Sequence, residues 1–237
     1  MIEPTRRTPA GRGEGALHAM KDRVTRRYGV VLVLAAASII FQMAADGAGP
    51  ERWITIVLQA MTLVAAVRAA QTRKRGVLVA SWVALAIAVI SLVVLIVEGE
   101  IPEGPAAIVS GLLVGVAPAV LVGGLVRDFR GEGTVTTRTL AGVLAIYLLI
   151  GMFFAFVYGA VEAIDGGDLF VQITNATPAD RLYFSFVTMC TVGYGDLTLG
   201  GNFPRTLAVL EMLFGQIYLV TVVALIVSNL GHRRQPS

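Results

Sequence analysis

Long apolar runs, separated by short polar connections, make up most of the chain. Each run is close to the roughly 20 residues that an α-helix needs to cross about 30 Å of hydrocarbon. The six runs are residues 29–45, 53–70, 76–97, 105–126, 139–161 and 204–229. A shorter and more polar segment, residues 178–190, lies between the last two runs. The pattern predicts an all-α membrane protein with six transmembrane helices, plus a re-entrant helix that enters the membrane without crossing it.

The composition indicates the same class of protein. Hydrophobic residues make up 56% of the chain and charged residues 15%, and the mean hydropathy is +0.75. A soluble domain of this composition would expose too much apolar surface to water. The sequence contains no catalytic triad, phosphate-binding loop or cluster of metal ligands. We therefore expect neither an enzyme nor a bound cofactor.

The basic residues lie mostly on one predicted side of the membrane. Most of the 19 Lys and Arg residues lie in the N-terminal tail, the second and fourth connections and the C-terminal tail, whereas Arg52, Arg181 and Arg205 fall on the other side. Since cytoplasmic loops carry an excess of Lys and Arg, we expect a multi-pass protein of the cell membrane with both termini in the cytoplasm. The sequence pI of 9.3 then reflects anchoring to membrane lipids, and no nucleic acid partner is expected.

Two features near the start of the chain have alternative explanations. Residues 29–45 are followed by small residues, so a cleaved secretory signal is an alternative to a first transmembrane helix. In the preceding segment, residues 1–28, Leu17, Met20 and Val24 recur at helical spacing between arginines, which suits a helix on the inner membrane surface. A solvated basic tail explains the same residues.

One short motif carries the chemistry. Residues 188–196 have the sequence Thr-Met-Cys-Thr-Val-Gly-Tyr-Gly-Asp. Gly193 and Gly195 can adopt backbone angles that other residues resist, so successive carbonyls can turn to one side and replace the water around an ion. Irregular backbone at membrane depth is tolerated only where protein buries it or where it lines an aqueous path. The motif therefore indicates a pore lining; an ordinary turn with two glycines is the alternative.

With this motif, the chain resembles the potassium channel pore family over residues 139–230. The resemblance implies an outer helix (139–161), a pore helix (178–190), a selectivity filter (191–195) and an inner helix (204–229). It implies that K+ is held by the carbonyls of the filter, with Gly195 and Asp196 at the outer mouth. The implied K+ ligands are the carbonyls of Thr191, Val192, Gly193 and Tyr194, with the Thr191 hydroxyl. Because each chain contributes one filter strand, three further copies are implied, in a homotetramer.

Several residues near the filter are implied to support it. Tyr183 and Phe184 occupy the positions of an aromatic pair that surrounds the filter in this family, and Tyr183 is placed to hydrogen-bond Asp196. We expect Thr188 and Thr191 to add hydroxyls to the central cavity. Val187 departs from the pattern, because some relatives carry a carboxylate at this position. Cys190 is expected to pack behind the filter.

Two residues of the predicted inner helix call for an explanation. Glu211 lies inside an apolar run, where a carboxylate is costly and usually faces protein or water. We expect it to hydrogen-bond behind the pore helix. The resemblance places the inner-helix hinge near Gly215, but a glycine that allows close helix packing is an equal alternative.

The first four predicted helices, residues 29–126, resemble a voltage sensor in number and order only. Residues 105–126 contain no arginine, and Arg127 and Arg130 come only after that run. A cytoplasmic linker, residues 127–138, and a short cytoplasmic tail, residues 231–237, complete the predicted organisation. Since voltage sensing requires charges that move through the membrane field, we expect weak or no voltage gating.

The sequence therefore predicts a potassium-selective channel that conducts K+ passively. The alternative is a non-conducting or regulatory membrane subunit of a channel assembly, in which the first four helices act as an interaction scaffold. A transporter is less well supported, because inverted repeats and paired ionisable residues within the membrane are not evident.

Overall fold

The computed structural model describes residues 11–44, 51–70, 103–132 and 137–232 and some positions between 75 and 89. The third predicted run, residues 76–97, and the C-terminal tail lie largely outside these residues. The helices of the described part are α1 (Gly11–Ala44), α2 (Glu51–Ala70), α3 (Glu103–Glu132), α4 (Thr137–Asp165), α5 (Pro178–Met189) and α6 (Asn202–His232). Among the described residues, the only β-pairing is an isolated antiparallel bridge between Phe170 and Leu199, which lie in the loops before and after α5.

Three of these helices contain a stretch long and apolar enough to cross a membrane: Ser110–Arg127, Thr139–Asp165 and Asn202–Val222. Shorter apolar stretches, Tyr28–Ala44 and Ile54–Ala70, lie in α1 and α2. The predicted class, an all-α membrane protein, is therefore confirmed for the described part of the chain. The number of six spans stays a prediction.

Two helices of the described part extend across predicted boundaries. Helix α1 is continuous from Gly11 to Ala44, so residues 11–28 belong to the same helix as the first apolar run. Helix α3 continues through Gly131 to Glu132, so the first half of the predicted linker, residues 127–138, is helical. A glycine within a helix costs only about 1 kcal/mol relative to alanine, which explains why Gly131 does not end α3.

Helices α1 to α4 pack around a common apolar core. Tyr28, Leu63, Leu121 and Ile146, one from each helix, are at most 2% exposed. At the end of α2, a Cβ on Gly124 would lie 2.6 Å from Ala70 Cα, so the two backbones are in direct contact there. The Arg127 guanidinium also donates a hydrogen bond to the Ala70 carbonyl. The ends of α2 and α3 are thereby held together.

A second apolar cluster surrounds the short helix α5. It joins α4, the loop after it and the start of α6, with Tyr158, Phe170 and Leu199 almost fully buried. The bridge between Phe170 and Leu199 ties the loop before α5 to the segment after residue 195, through hydrogen bonds of 2.9 Å from Val171 N to Thr198 O and from Gly200 N to Leu169 O. Residues 191–195 are therefore held between two packed elements.

Helix α6 differs from α4 in how much of it is covered. Within the single chain, 56% of the apolar stretch of α4 is buried, but only 17% of that of α6. The exposed side chains of α6 include Val209, Leu213, Phe214, Ile217 and Val220. Within a membrane, such an apolar face contacts either lipid or another protein helix.

Candidate functional site

The helix that leads into the motif, α5, begins with a capping box. Thr177 Oγ1 accepts a hydrogen bond from Asp180 N (3.1 Å), and Asp180 Oδ2 accepts one from Thr177 N (2.8 Å). Pro178 follows at the first helical position, where its missing N–H costs nothing. The sequence Thr-Pro-Ala-Asp was a visible signal for this helix start.

Immediately after α5, the backbone takes an alternating conformation. The φ angles are +57° at Thr191, +54° at Gly193 and +79° at Gly195, with Val192 and Tyr194 between them. A positive φ is rare for a β-branched residue such as Thr191, and such strain is found mainly at functional sites. Because residues with positive φ alternate with residues without it, successive carbonyls can point toward the same side. This is the arrangement in which carbonyl oxygens replace the hydration shell of an ion.

The alternating segment is open on one side in the single chain. Val192 is 51% exposed and Tyr194 71%. A Cβ built on Gly193 or Gly195 would meet no atom within 4 Å, so positive φ and not crowding is the reason for glycine at both positions. The chain supports this segment from behind and leaves its front uncovered.

Tyr183 and Phe184, the predicted aromatic pair, have different neighbours. Tyr183 Oη donates a hydrogen bond to Asp196 Oδ2 at 2.7 Å, as expected from the sequence. The ring of Phe184 instead lies edge-on to Tyr158 and Phe170, with ring centres 5.3 and 5.1 Å apart. In this chain Phe184 fixes α5 to the apolar cluster behind it.

Glu211 lies behind α5, where the sequence predicted it. It is fully buried, and Tyr158 Oη donates a hydrogen bond to its Oε2 at 2.6 Å. Ser185 Oγ contacts Glu211 Oε1 and lies 2.7 Å from the Gly151 carbonyl. Glu211 therefore joins α4, α5 and α6. Tyr158 and Ser185 were not identified from the sequence, because nothing local in either segment indicates a partner 53 or 26 residues away.

An ion pair holds the other end of α5. Arg181 Nη1 lies 2.5 Å from Glu162 Oε2 in α4 and donates to the Ala176 carbonyl at 2.6 Å. The two charged side chains are only 9% and 16% exposed. From the sequence, Arg181 was predicted only to lie on the outer side of the membrane, and no partner was predicted for it. The spacing of Glu162 and Arg181 contains no helical repeat that would have paired them.

Below the motif, α6 touches the end of α5. A Cβ on Gly215 would lie 2.7 Å from the Met189 carbonyl oxygen, and α6 is continuous through this residue. The structure thus supplies a packing reason for Gly215. The neighbouring Gln216 Nε2 donates to Thr191 Oγ1 at 3.3 Å, a contact that no local sequence pattern indicates.

Thr188 and Cys190 lie at the end of α5. Thr188 is 9% exposed in the single chain, and its carbonyl accepts a 3.0 Å hydrogen bond from Thr191 N; that its hydroxyl faces a central cavity stays a prediction. Cys190 is exposed in the single chain, with its Sγ 3.4 Å from Tyr147 Oη on α4. The direction of these side chains depends on the geometry of the last turn of α5, and hydropathy contains no information about that direction.

The comparisons with known proteins agree with this geometry. A family model described as "Ion channel" matches residues 142–231, from α4 to the end of α6. The chain is 40% identical over 94 residues to two pore potassium channel a of Oryza sativa subsp. japonica, and 37% identical over 87 residues to the inward rectifier potassium channel Kirbac3.1 of Paramagnetospirillum magnetotacticum. It is also 30% identical over 130 residues to protein LctB of Bacillus caldotenax.

The matches differ in how much of each protein they cover. The alignments take in 24% of the rice protein and 27% of Kirbac3.1, and 40% and 35% of this chain. The alignment with protein LctB takes in 96% of that protein and 50% of this chain. The shared part of the rice and Kirbac3.1 proteins is therefore about a quarter of their length.

Proposed function

Because the chain belongs to the potassium channel pore family, we propose that it is a potassium-selective channel that conducts K+ passively across the cell membrane. The observation that carries this proposal is the alternating positive φ at Thr191, Gly193 and Gly195, directly after the capped helix α5. Potassium channel names of the rice and Kirbac3.1 relatives support K+ as the permeant ion. The protein is an ion channel and not an enzyme.

The proposed K+ ligands are the backbone carbonyls of Thr191, Val192, Gly193 and Tyr194, with the Thr191 hydroxyl. These oxygens replace water around the ion, and several adjacent sites of similar affinity let ions move by mutual repulsion. Asp196 stands at the outer mouth, next to Tyr183. The carboxyl end of α5 carries partial negative charge, which favours a cation beside it.

We further propose a homotetramer. One chain supplies a single filter strand, whose front is exposed, and an inner helix of which only 17% is buried over its apolar stretch. Three further copies would cover both surfaces and surround the ion with carbonyl oxygens from every side. Conduction thus requires the assembly and not the chain alone.

Ion flux into liposomes tests the proposal. The purified chain is reconstituted at equal density in vesicles, and K+ uptake is compared with Na+ uptake. We expect K+ uptake well above Na+ uptake, and loss of the preference in Gly193→Ala, because alanine at φ +54° is strained by about 1 kcal/mol or more. Gly29→Ala is the matched control, since a Cβ there meets no atom within 4 Å and no positive φ is required.

The result separates the two candidate functions. A tetramer that passes neither ion at any voltage or pH would contradict conduction and indicate a non-conducting subunit. Equal flux of K+ and Na+ that is unchanged by Gly193→Ala would contradict the assignment of the filter.

A further inference from the structure

A groove between α1 and α2 has a chemically distinct end. Its volume is about 540 Å³. Its lining is entirely apolar except at one end, where the Arg68 side chain closes it. The lining residues are Val30, Leu34, Val57, Ala60, Met61, Val64, Ala65 and Arg68. The α2 residues recur at helical spacing, so they form one continuous stripe.

The groove is accessible in the chain. Val30 is 48% exposed and Met61 50%, and Arg68 is exposed in the last turn of α2. Within the described part of the chain, only α1 and α2 contribute to the lining. A groove of this kind within a membrane is filled by lipid unless protein covers it.

The dimensions of the groove fit one leaflet of the bilayer. Val57 and Arg68 mark its two ends along α2, which at 1.5 Å per residue places them about 16 Å apart. This is about half of the 30 Å hydrocarbon thickness. Arg68 lies at the end of α2 that the distribution of basic residues predicts to be cytoplasmic. The groove therefore extends from the inner surface to about the middle of the membrane.

We propose that this groove binds one acyl chain of an anionic phospholipid of the inner leaflet, with the lipid phosphate on the Arg68 guanidinium. A guanidinium recognises phosphate through paired N–H donors, and its aliphatic stem can lie along the apolar stripe. The inner leaflet supplies anionic lipid at the level of Arg68. The charge at one end and the apolar length behind it together match a phospholipid, and the positive charge of Arg68 favours a headgroup with net negative charge over a zwitterionic one.

Retained lipid tests the site directly. The full-length protein is purified from vesicles containing equal amounts of phosphatidylglycerol and phosphatidylcholine, and the lipid that stays bound is counted by native mass spectrometry. We expect phosphatidylglycerol to predominate in the wild-type protein. Arg68→Gln should lower its excess over phosphatidylcholine about fivefold, because one basic residue at the surface contributes about this factor. Ala65→Trp fills the groove and should lower the retention of both lipids.

Arg75→Gln is the matched control. Arg75 is exposed and is predicted to lie on the same side of the membrane as Arg68, but it does not line the groove. It should lower the excess of phosphatidylglycerol clearly less than Arg68→Gln does. An equal loss in Arg75→Gln and Arg68→Gln would overturn the proposal, since it would indicate surface charge without a site. Unchanged retention in both Arg68→Gln and Ala65→Trp would also overturn it, and would indicate that another part of the assembly covers the groove. Size-exclusion profiles like that of the wild type confirm that each variant is folded.

Discussion

At the scale of single residues, Glu211 has the most demanding surroundings. It is fully buried and joins Tyr158 of α4 to Ser185 of α5. In Glu211→Leu the Tyr158 hydroxyl loses its acceptor, and an unpaired buried hydroxyl costs about 1–3 kcal/mol. We expect Glu211→Leu to lower the melting temperature of the purified protein and to reduce K+ flux in liposomes.

A second variant separates the hydrogen bond from the volume of the side chain. Glu211→Gln keeps an oxygen for Tyr158 Oη and should be less destabilised than Glu211→Leu. Adding Tyr158→Phe to Glu211→Leu removes the unpaired hydroxyl and should recover part of the loss. The assigned role would be wrong if Glu211→Leu had the stability and flux of the wild type.

The packing role of Gly215 can be tested by comparison with Gly123, where an added Cβ would contact no other atom. In Gly215→Ala the new Cβ would lie 2.7 Å from the Met189 carbonyl oxygen, which must then move. Overpacking of this kind costs about 1–3 kcal/mol, so we expect a lower melting temperature. In Gly123→Ala no atom lies within 4 Å of the Cβ, and alanine is the better helix former, so stability should be equal or higher. A hinge without a packing role would instead leave the stability of Gly215→Ala unchanged and alter only channel opening.

At the scale of secondary structure, the sequence predicted the membrane helices better than their ends. Hydropathy marked residues 139–161 and 204–229, whereas α4 and α6 extend over Thr137–Asp165 and Asn202–His232. The apolar run reports the part of a helix that lies in hydrocarbon, and the polar turns at either end are decided by caps and tertiary contacts. The start of α5 at Pro178 was predictable because proline and its capping residues are local signals.

The contacts between elements were predictable only where a motif suggested them. The hydrogen bond between Tyr183 and Asp196 follows from the family resemblance. The ion pair of Arg181 with Glu162 and the hydrogen bond of Gln216 with Thr191 depend on how α5 is oriented against α4 and α6. Orientation arises from packing over the whole helix, so no short segment of sequence contains it.

The ion pair between α4 and α5 is testable as a link between two helices. Glu162→Gln leaves the buried Arg181 without its carboxylate partner, although the Ala176 carbonyl remains as an acceptor. Breaking a buried pair by removing one partner costs about 3 kcal/mol or more. We expect a lower melting temperature of the reconstituted protein, and K+ flux that falls at temperatures where the wild type is still active.

A matched double variant shows whether the loss arises from an unpaired charge. Glu162→Gln combined with Arg181→Met should be more stable than Glu162→Gln alone, since no buried charge remains. Equal stability of the single and double variants would contradict an energetic role for the pair.

At the scale of the whole molecule, the chain combines a packed part and an uncovered part. Helices α1 to α4 share a core, whereas α6 and the filter segment expose apolar and backbone surface. This division is what the proposed homotetramer requires, because the uncovered surfaces of one copy would then meet those of its neighbours.

The four helices predicted within residues 29–126 determine the expected response to voltage. The apolar stretch of α3, Ser110–Arg127, contains arginine only at its last position, and the Arg127 guanidinium is bonded to the Ala70 carbonyl at the end of α2. Each elementary charge that crosses the field contributes about 2.3 kcal/mol per 100 mV. Without arginines along α3, a membrane potential has little charge to move. In planar bilayers with equal K+ on both sides, we therefore expect a nearly voltage-independent open probability. A steep increase with voltage, equivalent to about three or more charges per chain, would show that another element carries the sensor.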